Sequence, residues 1–263
     1  MSFADPLASP PLLGKAELDR LCSEFRAAKR PMLFFDYDGT LIEFEADAQR
    51  HQQDPRLARA LRRLAERRPG CLYVISGRAR GALGPLFEGT GVGLIAEHGA
   101  YLREDSAEWV PLADARSPWM ETVRREMEAA KEHLPAAHVE QKEFSVVFHY
   151  RRDDSPAAAA VADALAARIV QLPEAAGFQM IRGHQLVEVR DSQLSKAVAA
   201  RLATAMRADF ILAAGDDRTD EDMFVALGES AWTIRVGSSP SHARWSLPDV
   251  PAVVSLLERL AAG

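Results

Sequence analysis

Short apolar runs separated by amphipathic segments make up the first hundred residues. Continuous apolar runs that lead into Asp36 and that end at Ile75 and Ala96 have the length of buried strands. Apolar residues at helical spacing over residues 15–28 predict a first helix, and Asp54-Pro55 supplies the N-cap and first position of a second. The alternation of strand and helix is typical of an open parallel α/β sheet.

The pattern changes from about residue 105. A helix opened by Ser117-Pro118 is followed by two β-like segments, and a second helix opened by Ser155-Pro156 is followed by two more. The four β-like segments are residues 139–141, 144–150, 178–182 and 185–190. A helix–strand–strand unit that occurs twice predicts a separate, small α+β domain.

The first pattern resumes after this insertion. It predicts a helix over 196–206, strands over 209–214 and 232–236, and a last helix over about 250–260. We therefore predict an α/β fold with a Rossmann-like parallel-sheet core and an inserted smaller α+β domain. The predicted boundaries are 1–30 for an N-terminal arm and helix, 31–104 and 187–263 for the core, and 105–186 for the insertion.

Four polar motifs follow the strands or open the helices of the α/β pattern. They are the pair Asp36 and Asp38, then Ser76, then Lys196, and finally the acidic run 215–222. Because the carboxyl ends of parallel strands face the same side, we expect these residues to converge on one crevice. Clustered carboxylates suit Mg²⁺ better than Zn²⁺, and a serine and a lysine beside such a cation can hold a phosphoryl group. Taken alone, residues 36–39 are also compatible with a strand end and a simple Asp-Gly turn.

Charge and composition narrow the function classes. The chain has 263 residues and a formal net charge of −6, which argues against a nucleic-acid surface. Its two cysteines, Cys22 and Cys71, do not indicate a disulfide framework, and no signal peptide is visible, so we expect a cytoplasmic protein. No apolar run approaches the ~18 residues of a membrane helix. We expect a monomer without a nucleic-acid or membrane partner.

The four motifs together resemble those of the haloacid-dehalogenase-like phosphatases. The residues that carry the resemblance are Phe34 and Asp36-Tyr37-Asp38-Gly39-Thr40-Leu41, Ser76, Lys196 and Gly215-Asp216-Asp217. Segments 76–78, 97–99, 149–151, 188–190 and 215–224 resemble the trehalose-6-phosphate phosphatases in particular. The resemblance implies Mg²⁺-dependent hydrolysis of trehalose 6-phosphate through an aspartyl-phosphate intermediate, the last step of trehalose biosynthesis. It also implies that the insertion is a cap domain that selects the substrate.

The resemblance assigns roles to the acidic residues. It implies that Asp36 is the nucleophile and a metal ligand, and that Asp38 is the general acid and then the general base. Asp38 would also contact the metal through its backbone carbonyl, and Asp216 would be the third protein ligand. Asp217 and Asp220 would support this metal site.

The remaining predicted site residues hold the substrate. By the same resemblance, Ser76 and Lys196 bind the transferred phosphoryl group, and Lys196 also restrains Asp36. The predicted substrate-binding residues are Arg78, Glu140, Lys142, Arg151, His184 and Glu188. Glu140 and Lys142 lie on one face of a strand because residues i and i+2 align, a pattern that an exposed charged strand face also explains.

Segment 191–197 departs from the resembled family. It lacks the glycine that usually follows the motif lysine and the Pro-x-Gly that usually precedes it, so the local loop around Lys196 must differ. Two other functions remain open. One is a capped phosphatase for another sugar phosphate, such as sucrose 6-phosphate, and the other is a non-catalytic regulatory module. Functional coupling to a trehalose-phosphate synthase is expected as well.

Overall fold

The computed structural model describes residues 8–43, 54–105, 107–112, 118–150, 155–183 and 185–262. The chain divides into a larger unit, Met1–Leu112 with Ser195–Gly263, and a smaller unit, Ala113–Leu194. The fold is mixed α/β, with a largely parallel sheet in the larger unit and an antiparallel sheet in the smaller one. The predicted fold class is therefore confirmed.

The strands and helices of both units are numbered here in chain order, and in the larger unit they alternate as the apolar pattern predicts. The strands are β1 (Pro31–Asp36), β2 (Leu72–Ile75), β3 (Gly93–Ala96), β4 (Tyr101–Arg103), β5 (Val110–Pro111), β6 (His138–Gln141), β7 (Ser145–His149), β8 (Phe178–Gly183), β9 (Leu186–Asp191), β10 (Phe210–Gly215), β11 (Trp232–Val236) and β12 (Trp245–Leu247). The helices are α1 (Lys15–Ala27), α2 (Pro55–Arg67), α3 (Arg80–Leu83), α4 (Trp119–Glu132), α5 (Pro156–Ile169), α6 (Val198–Ala205), α7 (Glu221–Leu227) and α8 (Val250–Ala262). Among the described residues, no helix combines the length and apolar character that crossing a membrane requires.

The sheet of the larger unit has the order β12-β11-β10-β1-β2-β3-β4-β5. Neighbours from β12 to β3 run parallel, and β4 and β5 are antiparallel additions at one edge. β1 lies in the middle and every one of its residues is buried, because a central parallel strand is covered on both faces. Asp36, its last residue, pairs with Ile75 of β2, so the carboxyl ends of these strands lie side by side.

Helices cover the faces of this sheet. On one face, apolar residues of β1, β2 and β3 pack against α6 and α7 in a continuous buried cluster. Elsewhere in the unit α2 packs against α8. α2 begins where the sequence predicts, since the Asp54 side chain accepts a hydrogen bond from Arg56 N and Pro55 occupies the first turn. The apolar side of each helix is thus buried, and the carboxyl ends of the strands remain available for polar residues.

The smaller unit is a four-stranded antiparallel sheet of order β6-β7-β9-β8 with two helices. α4 and α5 pack against each other, and their apolar residues share one buried cluster with Val146, Phe148, Val187 and Val189 of the sheet. These four residues alternate along β7 and β9, so one face of the sheet is apolar and the other carries Glu140 and Glu188. The doubled helix–strand–strand unit is the predicted one.

The compact units of the structure differ from the predicted domain boundaries by about one strand at each junction. The sequence pattern assigns residues 187–194 to the core, but β9 pairs with β7 and β8 and belongs to the smaller unit. The pattern assigns residues 105–112 to the insertion, but β5 pairs with β4 in the larger sheet. The apolar pattern of a strand is the same whichever sheet it joins, so the pattern alone does not identify its partner.

Residues 11–13 are tied to the larger unit by backbone hydrogen bonds. Leu13 N donates to Ser246 O and Ser246 N donates to Pro11 O, each at 2.8 Å, so this segment continues the sheet beyond β12. α1 packs against α8 in the same unit. Residues 11–13 thereby cover the exposed edge of β12, which would otherwise present unpaired backbone groups.

Candidate active site

Lys196 and Asp36 form the centre of the polar cluster at the carboxyl ends of β1 and β10. Lys196 Nζ lies 2.6 Å from Asp36 Oδ1 and 2.7 Å from Asp220 Oδ1. All three side chains are almost fully buried, and the lysine side chain is only 2% exposed. A buried ammonium between two carboxylates is a charge-assisted arrangement that fixes all three groups.

Three carboxylates lie close enough together to share a cation. Asp36, Asp216 and Asp220 each offer an oxygen within 4.8 Å of the others. All-oxygen donor sets of this kind suit Mg²⁺, so the residues present fit the cofactor that the sequence predicts. The group contains Asp36 and Asp216 of the predicted set and adds Asp220, whereas the Asp38 carboxylate is bound to an arginine. The predicted contact through the Asp38 backbone carbonyl stays a prediction.

Negative charge is in excess in this cluster. Burial raises the pKa of Asp216 to about 6, and the neighbouring Asp220 and Asp217 add to the rise. Burial likewise raises the pKa of Asp36 well above its usual value, although Lys196 opposes the rise. Lys196 itself is held charged, because nearby Asp220 and Asp36 outweigh the effect of burial and raise its pKa. Too few positive charges are present for the carboxylates, which is the condition under which a bound cation is most stabilising.

The loop after β10 is ordered by its own side chains. Asp217 Oδ1 accepts hydrogen bonds from Thr219 N, Thr219 Oγ1 and Asp220 N, and Asp217 N donates to Asp220 Oδ2. A Cβ atom on Gly215 would overlap the Asp220 carboxyl group, so only glycine permits this close approach. The loop thereby points Asp216 and Asp220 toward Asp36.

The turn after β1 supports the same cluster from the other side. Thr40 Oγ1 donates to Asp216 Oδ1 at 2.9 Å. Gly39 adopts a φ of +86°, and a Cβ there would overlap the Asp216 carboxyl group. The sequence Asp38-Gly39-Thr40 is therefore more than a simple turn, because both residues after Asp38 hold Asp216 in place.

Asp38 is bound by Arg78 in a bidentate ion pair. Arg78 Nε lies 2.8 Å from Asp38 Oδ2 and Arg78 Nη2 lies 2.6 Å from Asp38 Oδ1. The guanidinium also lies over the ring of Tyr37, 5.0 Å from its centroid. Two parallel hydrogen bonds fix the orientation of a carboxylate better than one. The predicted role of Arg78 in substrate binding stays a prediction, and the contact present is with the predicted general acid.

Ser76 follows β2 directly and is buried. Its backbone N donates to Ile95 O, and its Oγ accepts a hydrogen bond from Arg78 N at 3.1 Å. Because Ile75 of β2 pairs with Asp36 of the neighbouring β1, Ser76 and Asp36 both lie at the carboxyl ends of these strands. The structure thus brings the predicted serine, lysine and carboxylates to the carboxyl ends of adjacent strands.

The loop before Lys196 is stabilised by side chains where the resembled family has glycines and proline. Asp191 Oδ1 accepts from Gln193 N, and Ser195 Oγ accepts from Ala197 N and donates to Asp222 Oδ2 at 2.9 Å. The predicted helix over 196–206 begins later, since α6 starts at Val198. Lys196 reaches its two carboxylates without the missing glycines.

A second group of charged residues lies on one face of the smaller sheet. His149 Nε2 lies 2.8 Å from Glu140 Oε2, and Lys142 Nζ lies 3.4 Å from Glu188 Oε1. Glu140 and Glu188 are aligned because both pair with Val147 of the intervening strand. Three of the predicted sugar contacts therefore share one face with His149. Arg151 and His184, the other two predicted substrate contacts in this region, lie outside the described residues.

Several residues of the site have roles that the sequence does not predict. Thr40, Ser195 and Thr219 hold other site residues by hydrogen bonds, and Arg78 holds Asp38. Each lies within two positions of a predicted motif residue. This closeness in the sequence is the signal by which these residues could have been found. The partner of most of them lies in another loop, which sequence spacing does not show.

A family model described as trehalose-phosphatase matches residues 34–251 of the chain. The match spans every motif of the larger unit described above and the whole of the smaller unit. It begins within β1 and ends at the start of α8, so α1 and most of α8 lie outside the matched region.

Two curated proteins and one solved structure give the same indication. The chain is 36% identical over 244 residues to a bifunctional trehalose-6-phosphate synthase/phosphatase of Thermoproteus tenax, in a match that covers 92% of the chain and 33% of that protein. It is 30% identical over 257 residues to a trehalose-phosphatase of Schizosaccharomyces pombe, covering 91% of the chain and 32% of that protein. The C-terminal domain of the C. albicans trehalose-6-phosphate phosphatase superposes with a TM-score of 0.86 at 26% identity, covering 97% and 99% of the two chains. The chain spans about a third of the length of the curated relatives it matches.

Proposed function

This chain belongs to the trehalose-phosphatase family, a family of phosphoric monoester hydrolases, and we propose that it hydrolyses trehalose 6-phosphate to trehalose and phosphate. The observation that carries the proposal is the buried arrangement in which Lys196 contacts both Asp36 and Asp220, with Asp216 beside them. With a divalent cation added, such a site would neutralise and position a phosphoryl group, which is most of what phosphoryl transfer requires.

The proposed reaction has two steps at phosphorus. A carboxylate oxygen of Asp36 attacks phosphorus while the bond from phosphorus to the sugar oxygen breaks, and Asp38 gives its proton to the leaving oxygen. Asp38 then takes a proton from water, the water oxygen attacks the phosphorus of the aspartyl phosphate, and inorganic phosphate leaves with Asp36 restored. Arg78 orients this carboxylate by two hydrogen bonds, and it would have to release one oxygen of Asp38 before that oxygen could carry the proton.

Lys196 and Ser76 would hold the phosphoryl oxygens during both steps. The ammonium group already neutralises part of the charge on Asp36, so it orients the nucleophile as well as the phosphoryl group. Ser76 accepts the hydrogen bond from Arg78 N, which leaves its hydroxyl proton to point elsewhere. These residues supply positioning and charge stabilisation rather than covalent chemistry.

We propose Mg²⁺ as the cofactor, held by Asp36 and Asp216 with the Asp38 backbone carbonyl, and with Asp217 and Asp220 in support. The carboxylate cluster and its shortage of positive charge support this proposal. When bound, the ion would neutralise the phosphoryl oxygens and the surrounding carboxylates. Asp220 belongs to the same close group of carboxylates as Asp36 and Asp216, so it is a candidate for a direct ligand as well.

The smaller unit is proposed to be the cap that selects the sugar. Glu140, Lys142 and Glu188 present carboxylates and an ammonium on one strand face, and such groups bind several hydroxyls at once. The name of the Thermoproteus tenax relative pairs a synthase with a phosphatase in one protein. Functional coupling of this chain to a trehalose-phosphate synthase is proposed on that ground.

Phosphate release from three sugar phosphates tests the proposal. Purified protein with Mg²⁺ would be assayed on trehalose 6-phosphate, sucrose 6-phosphate and glucose 6-phosphate, with Asp36→Asn as the blank. A strong preference for trehalose 6-phosphate is expected. A preference for sucrose 6-phosphate would replace the substrate but keep the phosphatase, whereas absence of any Asp36-dependent release would indicate a non-catalytic regulatory module.

A further inference from the structure

The segment Glu97-His98-Gly99 has an unusual backbone at the end of β3. Its three residues have φ angles of +49°, +55° and +107° in succession, and the first two are not glycine. Side chains with a Cβ rarely adopt this region because it brings Cβ close to the carbonyl oxygen, so the conformation costs free energy. Glu97 and His98 are also buried. Strain of this kind persists where neighbouring structure requires it, and such places are often functional.

The strained segment is attached to the Ser76 loop by two backbone hydrogen bonds. Glu97 N donates to Arg78 O at 3.1 Å, and His98 N donates to Ser76 O at 3.0 Å. The positive φ angles turn both donors toward the loop. The segment therefore binds the backbone on either side of Gly77, between the predicted phosphoryl ligand and the arginine that holds Asp38.

The His98 ring packs directly on Gly77. A Cβ atom at Gly77 would lie 2.6 Å from His98 Cε1 and would overlap Nε2. Gly77 has no positive φ, so its lack of a side chain serves this close approach rather than a special backbone angle. The imidazole thus occupies the space that would otherwise allow the Ser76 loop to shift.

The same segment reaches a second loop of the site. A Cβ atom at Gly99 would lie 2.9 Å from Ser195 O and 3.2 Å from Val198 Cγ1, so the chain here passes close to the residue before Lys196.

We propose that residues 97–99 are a positioning segment that sets the Ser76 loop and the Lys196 loop relative to Asp36, with His98 packed on Gly77 as its central contact. The inference rests on the proposed phosphatase function only in taking Ser76 and Lys196 as phosphoryl ligands. It predicts that a change in the His98–Gly77 contact weakens binding of a phosphoryl group, even though neither residue is assigned a contact with substrate.

Orthovanadate provides the probe, because it mimics the phosphoryl group and its inhibition constant does not depend on how much of the enzyme is folded. The assay substrate would be p-nitrophenyl phosphate, which needs no sugar site. Gly77→Ala should raise the inhibition constant by at least about tenfold and lower kcat, since displacements of this order are costly at a catalytic site. Gly81→Ala is the matched control, because a Cβ at Gly81 meets nothing within 4 Å.

A second substitution decides whether the effect comes from the His98 contact. His98→Asn shortens the side chain and keeps a residue that tolerates positive φ. In the double variant Gly77→Ala/His98→Asn, the inhibition constant should return to that of His98→Asn alone. An unchanged inhibition constant in Gly77→Ala, or effects of the two substitutions that simply multiply, would overturn the proposal.

His98→Asn alone keeps the test decisive if Gly77→Ala does not fold. It should raise the orthovanadate inhibition constant by about threefold or more, as expected when a packed contact of a positioning group is lost. A purely structural role would lower Tm and leave the inhibition constant unchanged, which would contradict the inference. If the proposed function itself were wrong, the wild-type protein would release no phosphate. Orthovanadate binding to the wild type and the variants would then be measured directly by calorimetry.

Discussion

The two charged regions of the chain differ in how their charges are balanced. In the larger unit, Asp36 and Asp220 share one ammonium group, and the hydrogen bond to Asp216 comes from the neutral hydroxyl of Thr40. In the smaller unit Lys142 pairs with Glu188, and the His149 ring lies against Glu140. Each of these two carboxylates therefore faces a basic side chain of its own, whereas in the first region the carboxylates outnumber the ammonium group.

This difference indicates what each region binds. An excess of carboxylates raises their pKa values and is relieved by a divalent cation, which in turn attracts a phosphoryl group. Carboxylates that each face a basic side chain offer both acceptors and donors of hydrogen bonds to hydroxyl groups. The chemistry and the selectivity of the proposed enzyme would therefore reside in different units.

The largest expected effect comes from the nucleophile. Asp36→Asn should lower kcat by a factor on the order of 10⁴ or more on every phosphate ester, because a group that forms the covalent intermediate is removed. The fold should survive, since burial already disfavours the charged form of Asp36 and asparagine is a neutral side chain of similar shape. Phosphate release and thermal unfolding measure the two effects.

Asp163→Asn is the matched control, because that carboxylate lies on the surface of the smaller unit with a side chain 68% exposed. It should leave kcat unchanged. Near-normal turnover in Asp36→Asn would exclude the covalent mechanism. An equal loss on all substrates is expected for the carboxylate cluster of the larger unit, whereas the charged face of the smaller unit should affect only the sugar phosphate.

Mg²⁺ should stabilise the protein, and more so at higher pH. In the metal-free protein the pKa of Asp216 is raised to about 6, from 3.8 in the unfolded chain. The protonated carboxyl group therefore adds to the free energy of unfolding below pH 3.8, and this contribution is lost as the pH rises through about 6. Above that pH the carboxylate is ionised and the cation binds without displacing a proton. A saturating concentration, near 100 times Kd, would add about 2.7 kcal/mol and raise Tm by roughly 5–10 °C.

Thermal unfolding with Mg²⁺ and with a chelator, at pH 5 and pH 7.5, checks this expectation. The rise in Tm should be smaller at pH 5 and should nearly vanish in Asp216→Asn at both pH values. A rise of equal size at both pH values would mean that Asp216 does not titrate as the cation binds. A rise of normal size in the variant would place the cation elsewhere.

The core of the site is predictable because chemistry and strand ends coincide along the chain. Asp36, Ser76 and Asp216 lie at or directly after the ends of apolar runs, and parallel strands end on one side of a sheet, so the sequence alone predicts that these residues meet. Lys196 is identified by its type and its order in the chain, although its loop lacks the expected glycines. The structure shows why this departure is tolerated, since the side chains of Asp191 and Ser195 form the turns instead.

Contacts between loops are not predictable from spacing. Nothing in the sequence pairs Arg78 with Asp38, or turns Glu97 and His98 into positive φ, because both depend on which loops lie side by side. The short strands β4, β5 and β12 are absent from the sequence prediction, since two or three residues carry no measurable periodicity. The predicted boundary at residue 186 separates β9 from the strands with which it pairs, for the related reason that a strand is defined by its partners in the sheet.

The smallest effect, and the most selective, is expected from the charged face of the smaller unit. Lys142→Ala should lower kcat/KM for trehalose 6-phosphate by about tenfold, the cost of losing a charged hydrogen-bond donor, and should leave p-nitrophenyl phosphate nearly unaffected. Lys131→Ala, at a surface lysine of α4 in the same unit, is the matched control and should change neither substrate. An equal loss on both substrates would remove Lys142 from sugar recognition and indicate instead that breaking its ion pair with Glu188 perturbs the whole protein. A loss confined to the sugar phosphate would show that selectivity can be altered in one unit while the phosphoryl chemistry of the other stays intact.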